Sequence, residues 1–475
     1  ILSVCTLFIG LRFCVKCIFY LFFGLFFIFV FFITLFAIMA NELKAYELDE
    51  DRYVALMTKL IGEAESLQNC PPEFVPIEDN AGRHVLKTLE PHTTENGGPL
   101  LVERVAYKEG RGNIIITYPS AKADAKSISF VGSHLDVVPA DPKTWKFDPF
   151  SLGRDGDRLT GRGTTDCLGH VGLLTELFVQ LATNKPALNV TVAAVFIASE
   201  ESSVIPEVGV DMLVKDGKLD FMKNGPVYWV DSADSQPCIG TAAALDWTIR
   251  VSGKLFHSGL PHKAINSIEL GMEALNQIQT RFYKDFPPHP REAEYKFATP
   301  STMKPTQIKC SPGSSNQIPP WCEMSGDIRL TPFYEVEKCI ASVESYVKDI
   351  NDNINSLPVR GGASKYELPE ENLKGKVELI WNGEPYKGIA CSIDSQGFKA
   401  LESATKEIIG EAKPYSIGGS LPLVKELQDE GFDVQICGYG KSEAYHADNE
   451  YALLSDMKNA HRVFCSVIQQ LNESL

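Results

Sequence analysis

At 475 residues, 44% apolar and 22% charged, the chain has ordinary globular usage and is too long for a single core, so two domains are expected. A formal net charge of −16 and an isoelectric point near 5.1 argue against nucleic acid as a partner, since such binders need a basic stripe to displace counterions, and none is present. The twelve cysteines lack the paired spacing of a disulfide framework or a thiolate zinc site, which points to a reducing compartment.

The first 38 residues stand apart. Residues 18–38 are uncharged, mostly apolar and long enough to span a bilayer, with Arg12 and Lys16 on one flank. Read at face value, the segment is a membrane anchor. The favoured reading differs, because Ile1 comes first, Met39 is the first methionine, and the monotonous Phe, Leu, Ile, Val and Cys usage suits uracil-rich codons. Translated non-coding sequence ahead of a start at Met39 then explains the segment, and the protein is cytoplasmic with no membrane contact.

Beyond Met39, residues 51–67 have helical spacing and 68–80 read as a polar, proline-rich loop. Short β-rich runs follow at 113–118 and 127–131, the second leading into Gly132-Ser133-His134-Leu135-Asp136. A helix is expected over 169–181, with Leu173, Leu174, Leu177, Phe178 and Leu181 on one face, then buried strands at 190–198 and 227–230. Strands alternating with helices imply an α/β fold with a mainly parallel sheet flanked by helices, in which ligands gather at the strands' carboxyl ends. Between 245 and 384 the pattern changes to β-α-β-β-α-β, with strands at 247–251, 302–309, 324–330 and 377–381. That order is a ferredoxin-like α+β unit. It reads as an insertion, because helices at 396–409 and 420–430 and a strand at 434–437 resume the first pattern. The larger domain is therefore expected in two pieces, 40–244 and 385–475.

Adjacent carboxylates at the end of a buried strand, Glu200 and Glu201, repel one another unless a cation compensates. In an extended backbone they point to opposite sides, one fit to chelate and its neighbour to handle a proton. His134-Leu135-Asp136 suits a liganding imidazole with an orienting carboxylate, although alone it reads as a surface pair. Asp166, in the glycine-rich turn Gly161-Arg162-Gly163-Thr164-Thr165-Asp166, reads on its own first as a helix cap, with a bridging carboxylate as the alternative. Asp231 ends a strand, and His446 sits in the polar loop Tyr445-His446-Ala447-Asp448-Asn449-Glu450. Together, two histidines with oxygen ligands suit a pair of zinc or cobalt ions sharing a carboxylate.

In this order, Ser133-His134-Leu135-Asp136-Val137-Val138-Pro139, the turn ending in Asp166, Glu200-Glu201, Asp231 and the His446 loop resemble the co-catalytic zinc amidohydrolase and peptidase family. That family includes acetylornithine deacetylase, succinyl-diaminopimelate desuccinylase, aminoacylase-1 and the glutamate carboxypeptidases. The resemblance implies a zinc-peptidase-like fold and two divalent ions, zinc before cobalt. Asp166 would bridge them, His134 and Asp231 would complete one site, and Glu201 and His446 the other. Asp136 would orient His134, and Glu200 would move the proton from water to the leaving amine. The inserted unit would be a dimerisation domain in a homodimer, carrying His257 as support for the oxyanion, often in the partner's site. Asn316 and Arg329 would bind the substrate carboxylate, and Gly418, Gly419 and Ser420 would form a substrate loop at a helix start. His262 is assigned no role. Many relatives carry Met-Lys-Gly after the bridging aspartate, whereas this chain has Cys167-Leu168-Gly169-His170, which resembles the plant-type acetylornithine deacetylase-like members. The implied substrate is an N-acyl amino acid, N2-acetyl-L-ornithine first, cleaved to ornithine and acetate for arginine synthesis. Another N-acyl-amino-acid hydrolase, a dipeptidase or a catalytically silent metal-binding homologue is the alternative.

Overall fold

The computed structural model describes residues 43–202 and 204–475; the apolar segment 1–38, with both readings of it, lies outside them. An eight-stranded sheet forms the body. Its strands are β1 (Leu101–Ala106), β2 (Gly112–Tyr118), β3 (Ser127–Val131), β4 (Thr191–Phe196), β5 (Pro226–Val230), β6 (Cys238–Thr241), β11 (Tyr415–Ile417) and β12 (Asp433–Cys437). They lie in the order β1-β2-β4-β3-β5-β12-β6-β11. The central strands β4, β3, β5 and β12 are mutually parallel, while β1, β2 and β4 pair antiparallel.

Alternation along these strands builds two cores, one on each face. Phe130 and Tyr228 join the helices α1 (Glu50–Gly62), α2 (Asp79–Leu89), α3 (Leu168–Asn184), α6 (Gln396–Ile409) and α7 (Leu454–Ser474). Their neighbours Val131 and Trp229 face the opposite way, onto a core with Leu213, Val424 and Leu427. Helix α3 is apolar nearly all round and buried from Leu168 to Ala182, as expected of a helix packed against both the sheet and other helices.

The inserted unit is a separate antiparallel sheet of β7 (Ala243–Ser252), β8 (Thr302–Cys310), β9 (Trp321–Leu330) and β10 (Lys376–Trp381), in the order β8-β9-β7-β10. Helices α4 (Ser267–Asp285) and α5 (Val336–Asp352) cover one face and enclose a core around Trp247, Phe282 and Val343. Strand β8 is an edge strand, exposed from Lys304 to Cys310.

Two local expectations fail. The helix expected over 420–430 is only Val424–Asp429, because Pro422 disfavours helical backbone at Leu421 and Leu423 turns left-handed at φ +67°. Gly418, Gly419 and Ser420 therefore do not open a helix. The backbone at the acidic pair is not extended either, since Ser199 is left-handed at φ +62°. Among the described residues, no helix is long and apolar enough to cross a membrane.

Candidate metal centre

The four parallel strands end on one side of the sheet and deliver their side chains to one place. Strand β3 leaves through Gly132 at φ +95°, where a Cβ would lie 2.6 Å from the Trp229 ring, so only glycine makes the turn into Ser133 and His134. Buried His134 places Nδ1 2.9 Å from the Asp136 carbonyl oxygen. With Nδ1–H donating there, Nε2 faces inward, 2.9 Å from Asp166 Oδ1, 3.9 Å from Asp231 Oδ1 and 4.0 Å from Glu200 Oε2. From the far side, His446 Nε2 lies 3.2 Å from Asp166 Oδ2 and 3.2 Å from Glu201 Oε2. The two oxygens of Asp166 thus face different imidazoles. Asp166 does not cap α3, whose N-cap is Cys167.

Both carboxylates of the acidic pair line one cavity of about 390 Å³, contrary to the opposed arrangement of an extended strand. Glu200 reaches toward His134 and Glu201 toward His446. The Asp136 carboxylate accepts the Glu200 N–H at 3.1 Å and the Glu201 N–H at 3.0 Å, with Asn69 Nδ2 donating at 2.7 Å. Its approach to His134 Nδ1 is longer, 3.4 Å. Asp136 therefore holds the backbone of the acidic pair, and its carbonyl rather than its carboxylate has the shorter contact with the imidazole.

Burial pushes the Glu200 carboxyl well up, and the negative charge of Asp231 adds to the effect. Burial and then Asp166 push Glu201 and Asp231 each to about 7. Hydrogen bonds to Asp166 and Glu201 hold the His446 imidazole up to about 10. Among the described residues no lysine or arginine lines the cavity, so its four carboxylates face only imidazoles as cationic partners. Glu201 Oε1 is buried with no hydrogen-bond partner. Ligand atoms of His134, Asp166 and Glu201 lie within 4.8 Å of one another, as do those of His134, Cys167 and Asp231. Oxygen and imidazole donors at this density fit divalent metal ions.

Reading by motif missed the supports. Glu450 is fully buried and accepts from the amides of Gly163 (2.9 Å), Thr165 (2.7 Å) and Asp166 (3.0 Å) and from Arg162 Nη1 (2.7 Å). It fastens the Asp166 turn to the His446 loop, and its place in the string after His446 was its only signal. Cys167 Sγ contacts the Val230 carbonyl at 3.5 Å, and His170 Nε2 accepts the Tyr439 N–H at 2.9 Å. Burial takes His170 down to about 4, so it is neutral.

The remaining candidates stand outside this cluster. His257 is exposed on the inserted unit, and its Nδ1 accepts the Gly259 N–H. Asn316 is beside it, its carbonyl bonded to the Ser258 amide. Neither lines the catalytic cavity. Arg329, held by Asp327 at 2.7 Å, lines an adjoining cavity that shares Tyr386, Ser420, Leu421 and Pro422 with the first. Ser420 is thus in the wall of both, while Gly418 and Gly419 line neither.

An α/β sheet with an inserted ferredoxin-like unit carries a strand-end cluster of two imidazoles and four carboxylates fit for metal, and the family and relatives it matches make the chain a metal-dependent hydrolase acting on amide bonds. The chain belongs to peptidase family M20/M25/M40, whose model matches residues 130–470. It is 58% identical over 441 residues to an acetylornithine deacetylase of Arabidopsis thaliana and 56% identical over 447 residues to one of Dictyostelium discoideum; each match covers 92% of this chain and 100% of the relative. In fold it is similar to an M20-family metallo-carboxypeptidase of Sulfolobus solfataricus, with a TM-score of 0.62 at 17% identity, covering 90% of this chain and all of that one.

Proposed function

We propose that the chain removes the acetyl group from N2-acetyl-L-ornithine, giving L-ornithine and acetate, and so supplies ornithine for arginine synthesis. The observation that carries the chemistry is Asp166 lying between His134 and His446 with one oxygen toward each. The substrate rests on the two acetylornithine deacetylases matched along their whole length.

His134 and Asp231 would hold one divalent ion and His446 and Glu201 the other, with Asp166 shared; zinc is preferred and cobalt is the alternative. Such a pair supplies Lewis acidity at the acetyl carbonyl and lowers the pKa of water from about 15.7 toward 7. Glu200 takes the proton of the attacking water as the new C–O bond forms. It then delivers that proton to the α-nitrogen as the C–N bond breaks. Burial pushes its carboxyl up, which makes the carboxylate a stronger base toward water. Arg329 would take the substrate α-carboxylate, for which a planar fork of donors is suited, with Ser420 in the shared wall.

Assay of acetate and amine release from N2-acetyl-L-ornithine, other N-acyl amino acids, succinyl-diaminopimelate and dipeptides, at defined zinc and cobalt loading, tests the reading. N2-acetyl-L-ornithine is expected to give the highest kcat/KM. A dipeptide or another acyl amino acid in first place would replace the substrate, and inertness toward all with no metal bound would mark a silent homologue.

The exposed edge of β8 supports a homodimer through the inserted unit, because an unpaired strand edge is a template for pairing. Ile308 on that edge and Met272 on the adjacent helix are 62% and 45% exposed. Pairing there would let the exposed His257 serve the partner's cavity, with Asn316 beside it. Ile308→Asp is expected to turn the dimer into a monomer in light scattering, and an unchanged mass would refute this interface. The nine cysteines among the described residues are all free, which supports a reducing compartment and the cytoplasm.

A further inference from the structure

Strand β4 ends before the acidic pair, so the amides beyond it have lost their ladder partners and need others. Four in succession are taken by buried side chains. Ala198 N–H donates to Asn113 Oδ1 at 2.9 Å and Ser199 N–H to Glu78 Oε1 at 3.2 Å. Glu200 and Glu201 N–H donate to the two oxygens of Asp136. Asn113, Glu78 and Asp136 are each 0% exposed. Within this row, Ser199 holds the left-handed turn, a costly conformation for a residue with a side chain that persists only where its surroundings impose it.

The acceptor at that turn comes from outside the catalytic cavity. Glu78 stands at the start of α2 and Arg111 just before β2, and neither lines the cavity. They form a bidentate pair, Arg111 Nε to Glu78 Oε2 at 2.5 Å and Nη2 to Oε1 at 2.6 Å, with side chains 5% and 0% exposed. A buried ion pair is a poor stabiliser compared with well-packed apolar residues of similar volume. What it offers is an acceptor oxygen held in place by the guanidinium and facing a strained amide.

We infer that the Glu78–Arg111 pair is a positioning device for the general base: it fixes the turn at Ser199 and, through it, the side chain of Glu200. The inference rests on the role given to Glu200 above. Glu78 and Arg111 touch neither substrate nor metal.

Variants at the pair separate positioning from stability. Glu78→Ala strands a buried guanidinium and is expected to lower the urea midpoint as well as kcat. The double variant Glu78→Met with Arg111→Met removes both charges and should restore the midpoint, yet it has no acceptor for the Ser199 amide. Its kcat is expected to stay about 10- to 100-fold low, with KM within about threefold of native and the native metal content. Glu78→Gln keeps an acceptor oxygen and should recover kcat relative to Glu78→Ala. Recovery of kcat along with the midpoint in the double variant would overturn the inference, as would a loss of metal or a rise in KM that accounts for the whole effect. The same assays on Glu200→Gln keep the two failures apart. An active Glu200→Gln overturns the base assignment and this inference with it; an inactive one beside a fully active double variant overturns the positioning role alone.

Discussion

Glu200→Gln is expected to lower kcat on N2-acetyl-L-ornithine by about 10²- to 10⁴-fold, the usual worth of a general acid–base group, while the chain keeps its metal. The substitution is isosteric. The Glu200 N–H and the Asp136 carboxylate that accepts it are untouched, so the loop stays in place. The remaining donors, His134, Asp166, Asp231, Glu201 and His446, still surround the same space. Only the group that can accept and return a proton is gone. Acetate release, measured beside metal content per chain, checks this. Activity within tenfold of native would remove Glu200 from the proton's path, and loss of metal would make it a ligand instead.

Asp166→Asn is expected to cost more: activity falls to background and metal content drops at both sites together. The native carboxylate has one oxygen 2.9 Å from His134 Nε2 and the other 3.2 Å from His446 Nε2. Asparagine offers one oxygen and no charge, so the shared ligand is lost from at least one side and only Asp231 and Glu201 remain as carboxylate ligands for two dications. The Asp166 N–H keeps its bond to Glu450, so the turn itself should survive. Metal content after dialysis against a weak chelator is the readout. His446→Ala, by comparison, is expected to lose one ion and retain the other. Two ions retained in Asp166→Asn would show that the aspartate is not shared.

The central strands were legible because parallel strands covered on both faces read as short apolar runs; Thr191–Phe196 and Pro226–Val230 are examples. The inserted unit was legible because its strands and helices differ in period. Strands at and next to the sheet's edges were not. Leu101–Ala106 is largely exposed and carries no apolar alternation, while Cys238–Thr241 and Tyr415–Ile417 are too short to stand out. At the site, the six clustered residues were readable as motif letters, but their geometry was not. The turn at Ser199 carries no glycine to mark it, and its cause lies in Glu78 and Asp136, 121 and about 65 residues away in sequence. The same distance hid Glu450, whose partners precede it by more than 280 residues. His257 and Asn316 were readable only through family likeness, and within one chain they remain outside the cavity.

In the proposed division of labour His134, Asp166, Asp231, Glu201 and His446 would hold two ions, and Glu200 none. Anomalous diffraction from crystals grown with zinc, recorded on both sides of the zinc edge, tests it directly. Two peaks are expected, one among His134, Asp166 and Asp231 and one among His446, Asp166 and Glu201, with Glu200 bound to neither. A single peak, or a peak ligated by Glu200, would contradict the account.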